Sequence, residues 1–337
     1  MKYLVYGEYW AGTLPDMLVK ELRKRNYEVS IFDYTTIVPG ISSRKLFGRI
    51  KRRLFSFFYN YRVNIELIDY ACRLQPDVIL ISKGLNVQVK TLLSLRSKIR
   101  GVKIVNWNPD EFFNPKNSNE NLLKCFSSYD LLISSRPHLF DEYRQKGAQN
   151  LAFIDWYYIP ELHHVRNVSL KYDVTFVGNW SPNREAFISK IGLAVSIWGG
   201  GWERSSLKFR SDHAVNIGMV TQEEMSTIFA ASKFNLNMLT AENRDFSNLR
   251  LFEVCASGGL LVTERNETTM SYLEDGVDCL MYDFPCDVKA LVNSDNDFRL
   301  IASKGHERIM GGGYSFSDRV TLFIDELNKI STTTKTV

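Results

Sequence analysis

The stretch that most constrains this chain runs from Asp245 to Asp283, DFSNLRLFEVCASGGLLVTERNETTMSYLEDGVDCLMYD. Its centre, LRLFEVCASG, predicts a short helix that stops at Gly258, followed by a buried strand, GLLVT. Glycine after a helix supplies the left-handed turn that a side chain would obstruct. Leu249, Leu251, Phe252, Val254, Cys255 and Ala256 make the helix apolar nearly all round, and a helix of that kind is buried. It still carries Arg250 and Glu253, three residues apart and therefore on one face. A buried charge is unfavourable unless it is paired or meets a ligand. Two readings stay open. The charges pair with each other, or both point into a cleft where Glu253 accepts hydrogen bonds from ligand hydroxyls and Arg250 or the helix start holds an anion.

At 337 residues the chain is longer than most single domains, and two domains of about 150 residues each are expected. Its composition, 45% hydrophobic and 24% charged, is that of a soluble globular protein. No run approaches the ~18 apolar residues of a membrane span, and MKYLVYGEYW lacks the apolar core of a signal peptide. Cys72, Cys125, Cys255, Cys279 and Cys286 are scattered without metal-ligand spacing. They read as small buried hydrophobes in a reducing, cytoplasmic compartment, with no structural metal.

Strand and helix patterns alternate along the whole length. KYLVYG (2–7), a helix at about 13–25 and EVSIFDY (28–34) predict a βαβ unit with parallel strands. Residues at the C-terminal ends of parallel strands face the ligand site. That places Glu8, Gly12 and Thr13 there, unless the loop is an ordinary tight turn. PDVILIS (76–82) ends at Lys83-Gly84, VKIVNW (102–107) at NPDEFF, and YDLLISS (129–135) at Arg136-Pro137-His138. Asp110 suits an acceptor-side base or positioner, and equally a helix N-cap. His138 at its loop mouth is a further candidate beside a plain structural role. LAFIDWYY (151–158) closes the first domain, and the polar, Pro160-containing IPELHHVRNVSLK (159–171) reads as a linker.

YDVTFVG (172–178) opens a second series and leads into Asn179-Trp180-Ser181-Pro182-Asn183-Arg184. Ser181 suits a helix cap and Pro182 a first turn; the helix-start N–H groups and Arg184 would form an anion site. AVSIW (194–198) runs into Gly199, Gly200 and Gly201, which let backbone approach a ligand closely. HAVNIGMV (213–220), a helix at 222–231 and the strand FNLNML (234–239) precede the Asp245 stretch, and helices near 286–293, 297–310 and 317–329 follow.

One segment has a different character. In SSRKLFGRIKRRLFSFFYNYRVN (42–64), seven basic residues alternate with apolar and aromatic ones at helical spacing, and no acid occurs between Asp33 and Glu66. A basic amphipathic helix with aromatics fits an anionic membrane surface or lipid-linked acceptor best. A solvated face comes next, and nucleic-acid phosphate last.

The order of a helix with FE, then A-S-G-G, an apolar strand ending in T-E and a second helix before E-D-G resembles a known site. It is similar to the nucleotide-sugar site of GT-B glycosyltransferases of the family 4 (group 1) type, and within those most similar to the CgeB-type branch. Lys83-Gly84, Trp107, Asp110 and the aromatic–Pro–His passage of the linker extend the likeness. The resemblance implies an α/β, GT-B fold with two Rossmann-like parallel-sheet domains facing across a cleft. Residues 1–165 would form the acceptor domain and 166–315 the donor domain, with 316–337 as a helix and tail crossing back.

The same resemblance implies that the second of two acids separated by seven residues binds the donor ribose. Glu253 stands there, and Asp245 stands where the family carries the first acid, a glutamate. Gly218 and Met219 would meet the nucleobase through main-chain atoms. Gly178, Asn179, Arg184, Gly199, Gly200, Ser247, Asn248 and Arg250 complete the donor set. Glu8, Gly12, Thr13 and Lys83 fall on the acceptor side, and Asp110, Asp245 and His138 are the catalytic candidates. The expected reaction moves a sugar from a nucleotide-diphosphate sugar to an acceptor hydroxyl in cell-surface glycan synthesis, with retention of configuration. The protein would be cytoplasmic, and peripheral on the membrane through residues 42–64.

Missing motifs narrow the choice. There is no G-x-x-x-x-G-K-[ST] loop, no G-x-S-x-G elbow and no G-x-G-x-x-G after the first strand. The diphosphate would be neutralised by helix starts and basic side chains, with no metal and no further cofactor. A nucleotide-sugar epimerase, a DNA glycosyltransferase and a non-catalytic membrane-docked module remain as alternatives.

Overall fold

The computed structural model describes residues 1–37, 46–209, 213–240 and 243–333, with side chains except at 46–57, 208–209, 216–217 and 331–333. Backbone contacts divide the chain into two compact units: Met1–Asp155 with the residues from Val320 on, and Trp156–Arg319.

The first unit alternates β1 (Lys2–Gly7), α1 (Leu14–Lys24), β2 (Glu28–Asp33), α2 (Leu46–Leu74), β3 (Val78–Ser82), α3 (Val89–Lys98), β4 (Lys103–Asn108), α4 (Glu120–Cys125), β5 (Leu131–Ser134), α5 (Phe140–Gln145) and β6 (Leu151–Phe153). The sheet order is β2-β1-β3-β4-β5-β6, with every neighbouring pair parallel. Continuous apolar runs such as VILIS, all five residues buried, suit strands covered on both faces.

Helix α2 runs past its expected end at residue 64. IELIDYACRL sustains the helical spacing, and Val63, Leu67 and Ala71 are fully buried one turn apart. The apolar positions of this helix therefore divide. Phe58, Tyr61 and Ile65 stay 65%, 52% and 47% exposed on another face. Arg62 pairs with Glu66 at 2.5 Å. The basic residues Arg44 and Lys45, and the side chains from Leu46 to Phe57, lie outside the described residues.

The second unit contains β7 (Tyr172–Val177), α6 (Pro182–Ile191), β8 (Ser196–Gly199), β9 (Ala214–Ile217), α7 (Gln222–Ala230), β10 (Ser232–Leu236), α8 (Leu249–Ala256), β11 (Leu261–Glu264), α9 (Glu267–Tyr272), β12 (Leu280–Tyr282), α10 (Asp287–Val292) and α11 (Phe298–Gly311). Helix α12 (Phe316–Thr333) follows, and its Phe323 packs on Tyr3 and Trp107 of the first unit's own core. The second sheet has the order β12-β11-β10-β7-β8-β9, again all parallel.

Two elements depart from the sequence reading. β12, only LMY, is too short to show a period. LAFIDWYY is a strand only over Leu151–Phe153. Beyond it, Tyr158 exchanges backbone hydrogen bonds with the chain around Ser315 instead. Trp156 and Tyr158 are buried in the second unit's core beside Phe229 and Phe252.

In each sheet the connections change direction once, between β1 and β3 and between β7 and β10. Ligands in open parallel sheets bind at the carboxyl ends of the strands flanking such a point.

Candidate functional site

In the second unit, β7 ends at Gly178-Asn179 and β10 leads to Thr240. Arg184 spans these strand ends: its Nη1 donates to the Asn179 carbonyl at 2.8 Å and its Nη2 to Thr240 Oγ1 at 3.3 Å. Its guanidinium also lies over the Phe176 ring, 5.5 Å from the centroid. Ser181 accepts from the Arg184 N–H at 3.3 Å, so the start of α6 is capped by its own side chain.

The glycines first serve backbone packing. Gly199 has φ +137°, and a Cβ there would sit 2.1 Å from the Gly178 carbonyl oxygen. Gly200 N–H donates to Asn179 Oδ1 at 3.1 Å. The Met219 sulfur lies over Gly200, 3.2 Å from where a Cβ would stand. Gly178, Asn179, Arg184, Gly199, Gly200 and Met219 therefore gather at one strand-end cluster, with Gly218 (φ +143°) joined to Gly199 by a backbone hydrogen bond of 3.4 Å. A pocket of about 530 Å³ lies beside the Met219 loop, lined by Trp198, Val220, Thr221, Glu223, Glu224, Thr227 and Ile228.

Across the same point stands α8. It is buried as its composition dictates, with Leu251, Phe252, Val254, Cys255 and Ala256 all at 1% exposure or less. Its N-cap residue, Asn248, makes no side-chain capping hydrogen bond. Asn248, at the cap position, turns its Nδ2 to Asn237 Oδ1 at 3.0 Å, and its own Oδ1 is buried with no hydrogen-bond partner among the described residues. Asn237 is itself fixed by Tyr282 Oη and Thr263 Oγ1. Ser247 is buried beside it. Asp245 N–H donates to the Thr240 carbonyl at 3.4 Å, and Arg244 before it is held at φ +50°, a strained left-handed conformation.

Arg250 and Glu253 pair with each other: Arg250 Nη1 meets Glu253 Oε2, the first of the two readings the sequence allowed. Arg250 also lies over the Phe229 ring at 5.1 Å. Glu253 Oε1 faces His163 Nε2 at 3.9 Å. Burial pushes the His163 imidazole below its ordinary range against the opposing pull of Glu253, so the ring is neutral. Burial, reinforced by Glu253, pushes the Tyr157 hydroxyl up.

In the first unit, the corresponding point carries Glu8 and Lys83. Tyr34 Oη donates to Glu8 Oε1 at 2.6 Å, and burial followed by this bond raises the tyrosine's pKa. Thr13 caps α1 through the Asp16 N–H, and Gly12 N–H donates to Asp16 Oδ2 at 3.0 Å. Gly12 and Thr13 thus close a helix start. Lys83 and Gly84 are both left-handed, at φ +61° and +84°, and Lys83 Nζ pairs with Asp110 Oδ2 at 2.8 Å. Asp110 is not a helix cap: α4 begins later and is capped by Asn119, while both backbone groups of Asp110 are held by the Asn108 amide. His138 stands exposed on a short turn after β5.

Sequence reasoning missed four residues: Thr240, Asn237, His163 and Arg136. Arg136 is 3% exposed and braces the Pro109 carbonyl next to Asp110 at 3.4 Å. For Thr240 and Asn237 the signal was their position just past β10. Cys286 is exposed, unlike the buried cysteines Cys125, Cys255 and Cys279. Among the described residues no group of His, Cys, Asp and Glu could hold a metal ion, and no helix is long and apolar enough to cross a membrane.

Residues 184–325 match the protein family described as glycosyl transferase-like. No curated protein sequence matches the chain. Sucrose-phosphate synthase from Thermosynechococcus elongatus is similar in structure, with TM-score 0.69 and 12% identity, covering 99% of this chain and 100% of that one. α,α-Trehalose 6-phosphate synthase from Burkholderia multivorans gives 0.67 at 12% identity, covering 99% and 98%. HepE of Anabaena, solved with UDP and glucose, gives 0.65 at 12% identity, covering 98% and 100%. The fold is GT-B, two parallel six-stranded sheets with their helices. Together with the family match over the second unit, it makes this an enzyme of the glycosyltransferase type.

Proposed function

We propose that the chain moves a sugar from a nucleoside diphosphate sugar to an acceptor hydroxyl, with the donor held by the second unit. One observation carries this: the start of α8, where Asn248 makes no capping hydrogen bond, stands beside the Arg250–Glu253 pair and the strand ends of the β7/β10 switch point. A helix start offers N–H donors and positive potential to a diphosphate. Arg184 and Arg250 supply charge, Glu253 takes the ribose, and Asp245 the sugar or phosphate edge. Gly218 and Met219 take the base, next to the pocket lined by Trp198 and Thr221. Charge builds on the leaving diphosphate and the anomeric carbon, so the protein's work is alignment and electrostatic stabilisation. Glu8, Lys83 and Asp110 go to the acceptor side, where the strained Lys83 backbone supports a functional role. The likeness to the family 4, CgeB-type branch supports retention, metal independence and a glycan acceptor. HepE with UDP, and trehalose-6-phosphate synthase with UDP-2-fluoro-glucose, support a uridine or related nucleotide as the donor's carrier.

A thermal-shift screen against UDP, GDP, ADP and dTDP identifies the nucleotide, because a ligand raises the melting temperature by mass action. In calorimetry, Glu253→Ala should then weaken that nucleotide about tenfold or more, about 1.4 kcal/mol, while the variant stays folded. An unchanged Kd defeats the ribose assignment.

A membrane-facing role for α2 is the second reading, favoured by the exposed Phe58, Tyr61 and Ile65 directly after the basic run. Such a face binds anionic bilayers through apolar and electrostatic contact together. Vesicles with and without phosphatidylserine at low salt decide it: retention on the anionic ones alone is expected, and failure to sediment with either removes the reading.

A further inference from the structure

The nucleotide reading makes two demands on Arg250 and Glu253 that their present contact does not satisfy together. Arg250 Nη1 holds Glu253 Oε2, so an arginine that turned to a diphosphate would release the carboxylate. Glu253 has only 7% of its side-chain surface exposed, against 22% for Arg250. Removing one partner of a buried pair is strongly destabilising, because the remaining charge has lost its solvation. Arg250 is the partner with access to solvent. Glu253 needs another donor.

That donor is in place. His163 is 1% exposed, and its Nδ1 accepts from the Ile159 N–H at 3.0 Å. A neutral imidazole accepting at Nδ1 carries its proton on Nε2. This Nε2 has no hydrogen-bond partner among the described residues, and it faces Glu253 Oε1 at 3.9 Å. The separation is about 1 Å longer than an N–H···O hydrogen bond, and a buried donor without an acceptor is unfavourable. Arg166 and His164 add positive potential at the His163 ring.

We propose that His163 is a positioning residue that takes over Glu253 when Arg250 turns to the donor diphosphate. The inference rests on the nucleotide reading above. Loading the donor exchanges Arg250···Glu253 for Arg250···diphosphate and closes His163 Nε2–H onto Glu253 Oε1. Glu253 then stays paired while its other oxygen meets the ribose. His163 therefore matters for ligands that carry the second phosphate and little for those that do not.

The test is calorimetry on the full chain with the tightest binder among UDP, GDP, ADP and dTDP, and with the matching monophosphate. His163→Phe, which keeps a ring but no donor, should weaken the diphosphate about tenfold and the monophosphate less than twofold. His163→Gln, which keeps an N–H donor, should bind the diphosphate within about threefold of the parent. A ring serving packing alone would change both ligands by the same factor, and that result, or no change in either, overturns the proposal. If Glu253→Ala leaves the diphosphate Kd unchanged, or none of the four diphosphates binds, the ribose reading itself has failed and the proposal goes with it. If Glu253→Ala weakens binding while His163→Phe shifts both ligands equally, only the role of His163 is lost. Melting curves confirm that each variant is folded.

Discussion

At the start of α1, Thr13 and Asp16 fill the helix end with their own oxygens; at the start of α8, Asn248 turns away to Asn237 and caps nothing. Both residues are of good capping type, and both helices follow the strand ends of a switch point in a parallel sheet. The difference lies in the surroundings. Thr13 meets only its own helix and the turn before it. Asn248 has a buried amide partner fixed in turn by Tyr282 and Thr263, and a buried hydrogen bond outcompetes a local cap. One helix start is thereby closed by its own side chains, and the other lacks a capping bond from its N-cap residue.

Breaking this contrast at α8 should have the largest effect. Asn248→Asp places a carboxylate where the diphosphate is expected. The change favours the helix itself but opposes an anion, and nucleotide affinity measured by calorimetry should fall tenfold or more. Unaltered affinity would mean that the start of α8 binds no phosphate. The matching change at α1, Thr13→Ala, should cost about 1 kcal/mol of stability in urea unfolding and leave nucleotide affinity within about twofold. A large loss of affinity there would erase the distinction between the two helix starts.

The smallest effect concerns His163. Its folded-state pKa lies below the ordinary value of 6.5, chiefly through burial. A depressed group contributes stability that is present above the unfolded pKa and is lost as pH falls toward the folded one. The parent protein should therefore lose stability below about pH 6.5 through this residue. His163→Gln should lack that component, so its urea midpoint relative to the parent should rise between pH 7.5 and 5.5. A constant difference would show that the imidazole is not buried as a neutral ring.

Much of this architecture was legible in the residues. The apolar run LRLFEVCA had to be a buried helix, and Gly258, at φ +76°, had to end it. The alternation of strand and helix gave a parallel α/β chain, because parallel strands need long crossovers. Ser181 was readable as a cap, since a cap acts within one turn of its own chain; Thr13, expected on the acceptor side, proved to be one as well. Glu253 stood out because a charge inside an apolar helix demands a partner.

Which partner it has was a different matter. Arg250, a ligand and a distant side chain were all compatible with the sequence, and only the packed unit put Arg250 on one carboxylate oxygen and His163 opposite the other. The same holds for Asn248, whose choice between cap and core depends on Asn237, and for Lys83 and Asp110, paired across two strand ends. Local propensities, capping and periodicity act over a few residues and are written directly in the chain. Burial, ion pairing and strand order depend on groups far apart in sequence, and their energies exist only once the fold has brought those groups together.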